Sequence, residues 1–581
     1  MSGTLSEDLL SRARAWQSAD PDPETRAELE ALIASGDRAE LSERLGAELD
    51  FGTAGLRGAV GAGPARMNRA VVVRASRALA EHLLVRVPDA RALSIVVGYD
   101  ARPNSRALAE AAAGVLLAAG ISVRWFDAAT PTPLVAYASR VFSAAAALVV
   151  TASHNPRGDN GLKIYDQHAS QMGPPADADV ALRRDALGPA NEIPCVDALA
   201  TRQGALGATL TSLGPDLFRR YLAELDAALP ARLSSPRLRI AYTPLHGVGR
   251  EAFEAALALR GFSDLHVVPS QAEPDGSFPT VEFPNPEVAG TLDALLALAT
   301  EVHADLAIAN DPDADRLAAA VREPSGRFVA LTGNEIGALL ADFVLGQASK
   351  SPQPLLVTSI VSSPLLGSVA EKLGARFERT LTGFKWIWRA GRVLEGQGGT
   401  RFVFGCEEAL GYSIGPLVRD KDGIAAGVWL AELAERLRRE GKTLRERLFE
   451  IYREHGAWGS AQRSLTRPGS SGAAAITSMI ERLAGNPPAE LAGQVRQGFV
   501  DYRFGAEQRA PWLGASALFE LTFAGGARVL VRPSGTEPKL KVYADAIRPL
   551  EPSETPLSAA TRAKAEAEVL AEQLALWLER E

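Results

Sequence analysis

Short apolar runs alternate along most of the chain with longer stretches that are rich in Ala and Leu. Such runs open successive units at 93–98, 238–242 and 355–360, and each is followed by a turn and a helical pattern. This alternation is typical of βα units, in which helices cover a mostly parallel sheet. The sequence therefore predicts an α/β fold with a weak internal repeat.

A second set of apolar runs ends in polar loops. The runs at 147–150, 306–309 and 402–404 lead into loops at 151–156, 310–315 and 405–408. In open α/β sheets, ligands bind beyond the carboxyl ends of the strands. We therefore expect three similar domains, each of which contributes one loop, with the chemistry between the domains.

The two ends of the chain depart from this pattern. The first fifty residues predict charged amphipathic helices, for example at 23–35 and 37–49, whereas runs at 517–523, 528–532 and 540–544 predict strands before a helix from about 558. Clusters of Gly, Ser and polar residues mark the boundaries. The predicted division is a helical appendage at 1–50, α/β domains at 51–208, 209–325 and 326–455, and a smaller C-terminal α+β domain at 456–581.

Composition narrows the class of protein. The 581 residues are 46% hydrophobic and 23% charged, as in soluble globular proteins, and the net charge of -8 argues against nucleic acid as the main partner. Residues 1–16 lack the apolar run of a signal peptide, and the longest apolar stretch, 134–150, is too short to span a bilayer. Only Cys195 and Cys406 occur, which fits a reducing compartment. We expect a cytoplasmic protein with no membrane segment, in which any metal is held by oxygen ligands.

The first candidate for chemistry is Ser153. It lies between Ala152 and His154 after a predicted buried strand, and the Asn-Pro pair that follows forces a turn. A hydroxyl held there suits a phosphoryl acceptor, although the same residues also suit an ordinary turn. Lys163, on the next predicted strand, could reach the loop as a phosphate contact or proton carrier, or could be a surface lysine.

The second candidate is a cluster of carboxylates. Asp311, Asp313 and Asp315 alternate directly after an apolar run, so they repel one another unless a cation neutralises them. Hard oxygen ligands suit Mg²⁺ or Ca²⁺. An EF-hand loop would need Gly and Glu where Arg316 and Arg322 stand, which excludes that motif.

Three further segments carry groups that suit phosphate or sugar. The turn that begins at Arg532 combines a guanidinium, two hydroxyls and backbone amides freed by Gly535, which suits a phosphate. A carboxylate of Glu407 or Glu408 could accept two sugar hydroxyls, but glutamate pairs are also common on solvated loops. Single basic residues, Lys385 and Arg57, are weaker signals.

Taken together and in this order, six motifs resemble those of the α-D-phosphohexomutase family over about residues 50 to 545. The motifs are Gly52-Thr-Ala-Gly-Leu-Arg57, Thr151-Ala-Ser-His-Asn-Pro156, Asp311-Pro-Asp-Ala-Asp-Arg316, Thr382-Gly-Phe-Lys385, Gly405-Cys-Glu-Glu408 and Arg532-Pro-Ser-Gly-Thr536. The resemblance implies three similar mixed α/β sandwich domains and a smaller C-terminal α+β domain around a central cleft. It also implies a phosphoserine, Mg²⁺ and a sugar 1,6-bisphosphate intermediate.

The resemblance also implies roles for individual residues. The catalytic residues are then Ser153, His154, Lys163, Arg57 and Arg316. The metal would be held by Asp311, Asp313 and Asp315 together with phosphorylated Ser153. The substrate would be bound by Thr382, Gly383, Lys385, Glu407, Glu408, Lys421, Arg532, Ser534, Gly535 and Thr536.

The implied function is that of a phosphosugar mutase. The motifs look most like those of the longer branch of the family, so glucose 1-phosphate and glucose 6-phosphate are the first choice of substrate, with glucose 1,6-bisphosphate as activator. Phosphomannomutase and phosphopentomutase are the alternatives, because Ala409 stands where many members have a serine. A haloacid-dehalogenase-like phosphatase with Asp311 as nucleophile and a non-catalytic sugar-phosphate-binding protein stay open. The sequence does not indicate an oligomeric state.

Overall fold

The computed structural model describes residues 6–580 except 51, 53–54, 88, 324, 468–469, 534–538 and 552, and the side chains of 470, 471 and 473 are also left undescribed. The described chain divides into two compact units. The first comprises Met1–Phe328 and Gly415–Val428, and the second comprises Val329–Ile414 and Trp429–Glu581.

Three helices precede the first sheet, namely α1 (Glu7–Ala19), α2 (Pro23–Ser35) and α3 (Arg38–Leu45). The expected helix at 37–49 ends early, because Leu49 donates its backbone N–H to Pro64 O and so leaves the helical path. The helices pack on the segment that follows them through Leu29, Leu41 and Ala62, which are fully buried.

The first sheet has six strands in the order β1-β5-β4-β2-β3-β6. Its elements are β1 (Leu56–Ala59), α4 (Arg69–Arg86), β2 (Ser94–Tyr99), α5 (Ser105–Ala118), β3 (Ser122–Trp125), α6 (Thr132–Val141), β4 (Ala146–Val150), β5 (Asp159–Tyr165), α7 (Ala176–Ala186), α8 (Ala198–Thr201) and β6 (Leu210–Ser212). Central strands are apolar on both faces: Val96, Val97, Leu148 and Val149 are all 0% exposed. Such burial is expected where helices cover a parallel sheet, and it stabilises by roughly 1.5–3 kcal/mol per side chain.

The second sheet has five strands in the order β11-β10-β9-β7-β8. Its elements are α9 (Pro215–Ala228), β7 (Ile240–Thr243), α10 (Arg250–Leu259), β8 (Leu265–Val267), α11 (Asp293–Glu301), β9 (Leu306–Asn310), β10 (Leu317–Arg322) and β11 (Phe328–Ala330).

The third sheet has four strands in the order β13-β12-β14-β15. Its elements are α12 (Gly333–Gln347), β12 (Gln353–Ser359), α13 (Leu365–Lys372), β13 (Arg376–Thr380), α14 (Phe384–Gly396), β14 (Thr400–Glu407) and β15 (Gly411–Ile414), followed by α15 (Gly423–Arg439) and α16 (Leu444–His455).

The C-terminal sheet has six strands in the order β16-β21-β20-β19-β18-β17, and each pair of neighbouring strands is antiparallel. Its elements are β16 (Ala457–Thr466), α17 (Ser470–Gly485), β17 (Glu490–Leu491), β18 (Gln494–Asp501), β19 (Phe519–Phe523), β20 (Arg528–Pro533), β21 (Lys539–Arg548) and α18 (Pro556–Glu579). Short 3₁₀ helices occur at Ala190–Glu192, Ala205–Gly207, Pro269–Gln271, Ala506–Gln508 and Pro511–Leu513.

The first three sheets share one four-strand pattern. The strands β3-β2-β4-β5, β8-β7-β9-β10 and β13-β12-β14-β15 each combine two parallel pairings with one antiparallel pairing at the end. The predicted α/β class with three similar domains and a smaller C-terminal domain is thus confirmed. In the first two sheets the polar loop singled out above is the turn between the last parallel strand and its antiparallel neighbour. In the third sheet the predicted loop at 405–408 is mostly strand, because 405–407 continues β14 and pairs with β15, and only Glu408 lies in the turn.

Candidate active site

The loop that carries Ser153 connects β4 to β5. Ser153 has φ +53°, a left-handed conformation that costs an L-residue roughly 1–2 kcal/mol. Thr151 stabilises it, because its hydroxyl accepts the Ser153 backbone N–H at 2.8 Å and donates to Asp100 Oδ2 at 2.6 Å. A turn closes the loop, with Asn155 N–H donating to Ala152 O at 3.0 Å. The loop therefore fixes the serine backbone before any ligand binds.

The loop that carries the three aspartates connects β9 to β10. Asp311, Asp313 and Asp315 are buried, and one oxygen of each lies within 4.8 Å of the others. A tight turn at Ala314, with φ +57° and its N–H bonded to Asp311 O at 2.8 Å, brings them together. Such a cluster of carboxylates could bind a metal ion.

The two loops meet within the first unit. Ser153 Oγ donates a hydrogen bond of 2.7 Å to Asp311 Oδ2, and His154 Nδ1 lies 3.1 Å from the same Oγ. The serine hydroxyl has one proton, so its donation to Asp311 leaves its lone pairs for the imidazole.

Lys163 reaches the same carboxylates from β5. Its buried Nζ lies 2.6 Å from Oδ2 of Asp313 and 2.6 Å from Oδ2 of Asp315. Burial alone would lower the pKa of Lys163, but the two carboxylates outweigh it and raise the pKa above its usual value. The lysine is therefore charged at neutral pH, and it is not a surface lysine.

The other oxygens of two aspartates test whether the site fits a cation. Asp313 Oδ1 and Asp315 Oδ1 are buried and have no hydrogen-bond partner among the described residues. A buried carboxylate oxygen without a partner is costly, and a hard cation would satisfy it. The donor set, all oxygen, fits Mg²⁺ or Ca²⁺.

The remaining predicted catalytic residues surround this cluster. Arg57 donates through Nη1 to Asn155 Oδ1 at 3.2 Å, and Arg316 donates its backbone N–H to Asp311 Oδ1 at 2.9 Å. Burial, together with the positive charges of Arg316 and Arg57, holds the pKa of His154 well below its usual value. The imidazole is neutral at neutral pH, next to two guanidinium groups.

Lys421, which the sequence assigned to the substrate, lies beside the aspartates in the first unit. Its Nζ is 3.3 Å from Asp315 Oδ2 and 3.1 Å from Asp420 Oδ1. Gly423 lets the segment approach, since a Cβ there would lie 2.2 Å from Arg316 O. Burial opposes ionisation of Asp315, but Lys163 and Lys421 lower the pKa of this carboxyl well below its usual value.

Sequence reasoning missed three groups around the cluster. Thr132 Oγ1 donates to Asp313 Oδ2 at 2.6 Å, and Tyr165 OH and Gln171 Nε2 donate to Asp420 at 2.6 and 2.8 Å. Tyr165 is two residues after Lys163, on the same strand face, which is the signal that could have found it.

In the second unit, the two glutamates of the third loop differ in their contacts. Glu407 Oε1 accepts the backbone N–H of Gly383 at 2.7 Å. Glu408 Oε2 instead accepts from Ser359 Oγ at 2.9 Å and Ser362 Oγ at 3.2 Å. The structure thus brings Glu407 to the Thr382–Lys385 segment, at the start of α14, and turns Glu408 toward the end of β12.

Arg532 lies near the end of β20 in the second unit. It is partly buried, and its Nε is buried without a partner among the described residues. Ser534, Gly535 and Thr536, predicted to complete the phosphate loop, lie outside the described residues.

Family models match four segments of the chain that together cover more than half of it. They are described as phosphoglucomutase/phosphomannomutase alpha/beta/alpha domain I at residues 48–185, domain II at 219–326, domain III at 332–455 and C-terminal domain at 508–547.

Curated relatives match over most of the chain. A probable phosphomannomutase of Haemophilus influenzae is 38% identical over 83% of this chain and 93% of its own length. A phosphopentomutase of Mus musculus is 33% identical, over 92% of this chain and 89% of its own. A phosphoglucomutase of Staphylococcus epidermidis is 32% identical, over 87% of this chain and 92% of its own.

No helix within the described residues is long and apolar enough to cross a membrane. These three relatives name different sugars but are all mutases, and the four matched domains follow one another in order. The chain therefore belongs to the phosphoglucomutase/phosphomannomutase family, the α-D-phosphohexomutases, and is a phosphosugar mutase, which is an isomerase.

Proposed function

We propose that this mutase interconverts glucose 1-phosphate and glucose 6-phosphate through a phosphoserine at Ser153 and a glucose 1,6-bisphosphate intermediate. The observation that carries the proposal is the hydrogen bond of 2.7 Å from Ser153 Oγ to Asp311 Oδ2, inside a cluster of three buried carboxylates. It sets the hydroxyl that would carry the phosphoryl group directly beside the residues that would hold the metal.

We propose Mg²⁺ as the metal, held by Asp311, Asp313 and Asp315, since three carboxylates leave room for phosphate oxygens in its coordination shell. When bound, the cation would withdraw charge from the phosphoryl group during transfer. Asp311 Oδ2 accepts a hydrogen bond from the serine hydroxyl whenever Ser153 is not phosphorylated, and so orients its Oγ. Lys163 keeps Asp313 and Asp315 in place through its two 2.6 Å bonds.

The other basic groups have separate tasks in this proposal. Arg57 and Arg316 offer guanidinium groups to the phosphoryl oxygens, and His154, neutral at neutral pH, orients Ser153 Oγ. Lys421, beside Asp315, would meet a phosphate at the same centre. In the second unit, Glu407 with the Thr382–Lys385 segment would bind sugar hydroxyls, and the Arg532–Thr536 loop would bind the distal phosphate.

Glucose is the proposed sugar because the motifs resemble those of the longer branch of the family and a phosphoglucomutase is among the full-length relatives. Mannose and pentose phosphates are the alternatives, since relatives so named are 38% and 33% identical to this chain, against 32% for the phosphoglucomutase. Membership of an isomerase family argues against the phosphatase and the non-catalytic binder. A cytoplasmic location is also proposed, because Cys195 and Cys406 are both free thiols.

A coupled assay with Mg²⁺ and the matching bisphosphates, across glucose, mannose, glucosamine and ribose 1-phosphates, tests the substrate. We expect kcat/KM for glucose 1-phosphate to exceed that for each other sugar by at least about tenfold, which corresponds to about 1.4 kcal/mol, the net contribution of roughly one hydrogen bond. A higher value for mannose or ribose 1-phosphate would assign the enzyme to that substrate instead.

A further inference from the structure

We propose that Arg102 is a positioning residue that holds the Ser153 loop in the conformation needed for phosphoryl transfer. Arg102 lies in the turn after β2, outside every motif assigned to the site. Its guanidinium donates to four backbone carbonyls, three in the loop and one at the start of β5, and none of these four bonds is made to a side chain that would bind substrate or metal. This inference rests on the proposed phosphoserine chemistry.

The four bonds span the whole loop. Nη2 lies 2.7 Å from Ser153 O and 2.5 Å from Asn155 O, and Nη1 lies 2.8 Å from Pro156 O and 2.9 Å from Asp159 O. Arg102 is only 4% exposed, so water does not compete for these carbonyls. A planar fork with five donors can hold four carbonyls at once, and a single ammonium group cannot.

The bond to Ser153 acts on a residue in an unfavourable conformation. Ser153 has φ +53°, a backbone angle that residues other than glycine, asparagine and aspartate rarely adopt. Its carbonyl is fixed by Arg102 and its N–H by Thr151, so both of its peptide groups are held. Together they aim Oγ at Asp311.

Arg102 also contacts Gly276 and Phe278, in the segment between β8 and α11. The guanidinium carbon lies 4.9 Å from the centroid of the Phe278 ring, in a cation–π contact. Gly276 packs so tightly that a Cβ there would lie 2.4 Å from the Arg102 Cα. Arg102 therefore contacts both the serine loop and the segment between β8 and α11, so it packs the two against each other.

The test compares Arg102→Lys with a matched control, Arg260→Lys. Arg260 is 3% exposed and lies in the same unit. It donates to Pro230 O at 2.8 Å and to Asp226 Oδ1 at 3.0 Å, neither of which belongs to the serine loop. Both variants are expected to lose thermal stability. Only Arg102→Lys is expected to lose about ten- to a hundredfold in kcat, with KM within about twofold, at saturating bisphosphate.

A second readout follows the phosphoryl group itself. Enzyme labelled from ³²P-bisphosphate should lose label to water several-fold faster in Arg102→Lys than in Arg260→Lys, because a loosened loop no longer holds the phosphoserine away from water. If the wild-type protein takes no label at Ser153, the proposed function is wrong. If it takes label and the two variants have equal kcat and equal label loss, the role of Arg102 alone is wrong.

Phe278→Leu covers the case in which Arg102→Lys does not fold. It removes the ring contact but keeps all four carbonyl bonds, so kcat should fall about two- to fivefold with KM unchanged. An unchanged kcat in folded Phe278→Leu, when Arg102→Lys cannot be purified, would overturn the inference.

Discussion

Lys163 Nζ donates a hydrogen bond of 2.6 Å to Asp313 Oδ2, and both side chains are buried. The same ammonium binds Asp315, so one positive charge is shared by two carboxylates whose other oxygens point elsewhere. Lys163 can therefore bind the Oδ2 atoms of the two aspartates while a cation binds their Oδ1 atoms.

We expect Asp313→Asn to weaken Mg²⁺ binding at least about tenfold and to lower turnover with it, because a neutral amide binds the cation less strongly than a carboxylate and no longer forms an ion pair with Lys163. Calorimetric Mg²⁺ titration and turnover against Mg²⁺ concentration measure this. Asp264→Asn, on the surface of the same unit beside Arg239, is the control and should bind Mg²⁺ normally. Equal metal dependence in both variants would contradict the metal assignment.

We expect Ser153→Ala to lose at least about a thousandfold in turnover even with bisphosphate supplied, since the phosphoryl acceptor is gone. The coupled assay and mass spectrometry of the phosphorylated peptide check this. Ser76→Ala is the control, because the Ser76 hydroxyl is also buried but has no partner among the described residues. Turnover within tenfold of wild type in Ser153→Ala would remove the phosphoserine from the mechanism.

The two adjacent glutamates allow a paired test. Glu407→Gln should raise KM for the sugar phosphate about ten- to a hundredfold, because a charged acceptor of sugar hydroxyls is lost. Glu408→Gln keeps an oxygen for Ser359 and Ser362, so its KM should change less than about threefold. The reverse order of effects would exchange the roles of the two residues.

We expect Arg532→Ala to raise KM for the monophosphate about ten- to a hundredfold, with a smaller fall in kcat, because charge-assisted hydrogen bonds worth about 1.5–3 kcal/mol are lost. Steady-state kinetics in both directions measure it. Arg463→Ala is the control. It removes an exposed arginine of the same sheet, which pairs with Glu572 of α18, and its KM and kcat should match those of wild type. A fall in kcat alone would mean that this loop does not bind the distal phosphate.

Asp422 gives a prediction about pH. Burial raises its pKa to about 6, although Tyr221 OH and the Ala425 N–H both donate to it. The unfolded chain releases this proton near pH 3.9. Between about pH 4 and pH 6 the folded protein therefore binds the proton more often than the unfolded chain, and stability from this group falls as pH rises.

In Asp422→Asn the side chain at position 422 is neutral at every pH, so this position no longer makes stability fall as the pH rises. We therefore compare the free energy of unfolding of wild type with that of the variant. The wild-type value minus the variant value should fall by about 2 kcal/mol as the pH rises from 4 to 7. Scanning calorimetry of both proteins across this range without metal measures it. A difference that does not change with pH would mean that Asp422 is ionised as readily in the folded protein as in the unfolded one.

Local pattern predicted most of the elements. The apolar runs at 147–150, 306–309 and 402–404 lie in β4, β9 and β14, and the first two polar loops after them are the turns to antiparallel neighbours. The third loop was predicted wrongly, because 405–407 pairs with β15 as part of β14. The helix at 23–35 was predicted to the residue, whereas the helix at 37–49 was predicted too long. A strand or helix depends mainly on the spacing of apolar residues a few positions apart, which the sequence contains.

The pairing of distant groups was decided by tertiary structure alone. Ser153 and Asp311 are 158 residues apart, and Lys421 reaches Asp315 only because 415–428 folds with the first unit. Nothing in the Asp100-Ala-Arg102 turn indicates that its arginine would hold four carbonyls of another loop. A hydrogen bond between such residues depends on how sheets and turns pack, which no local spacing of residues encodes. The sequence by itself therefore determined the elements and the residue types at their ends, and packing determined which of them meet.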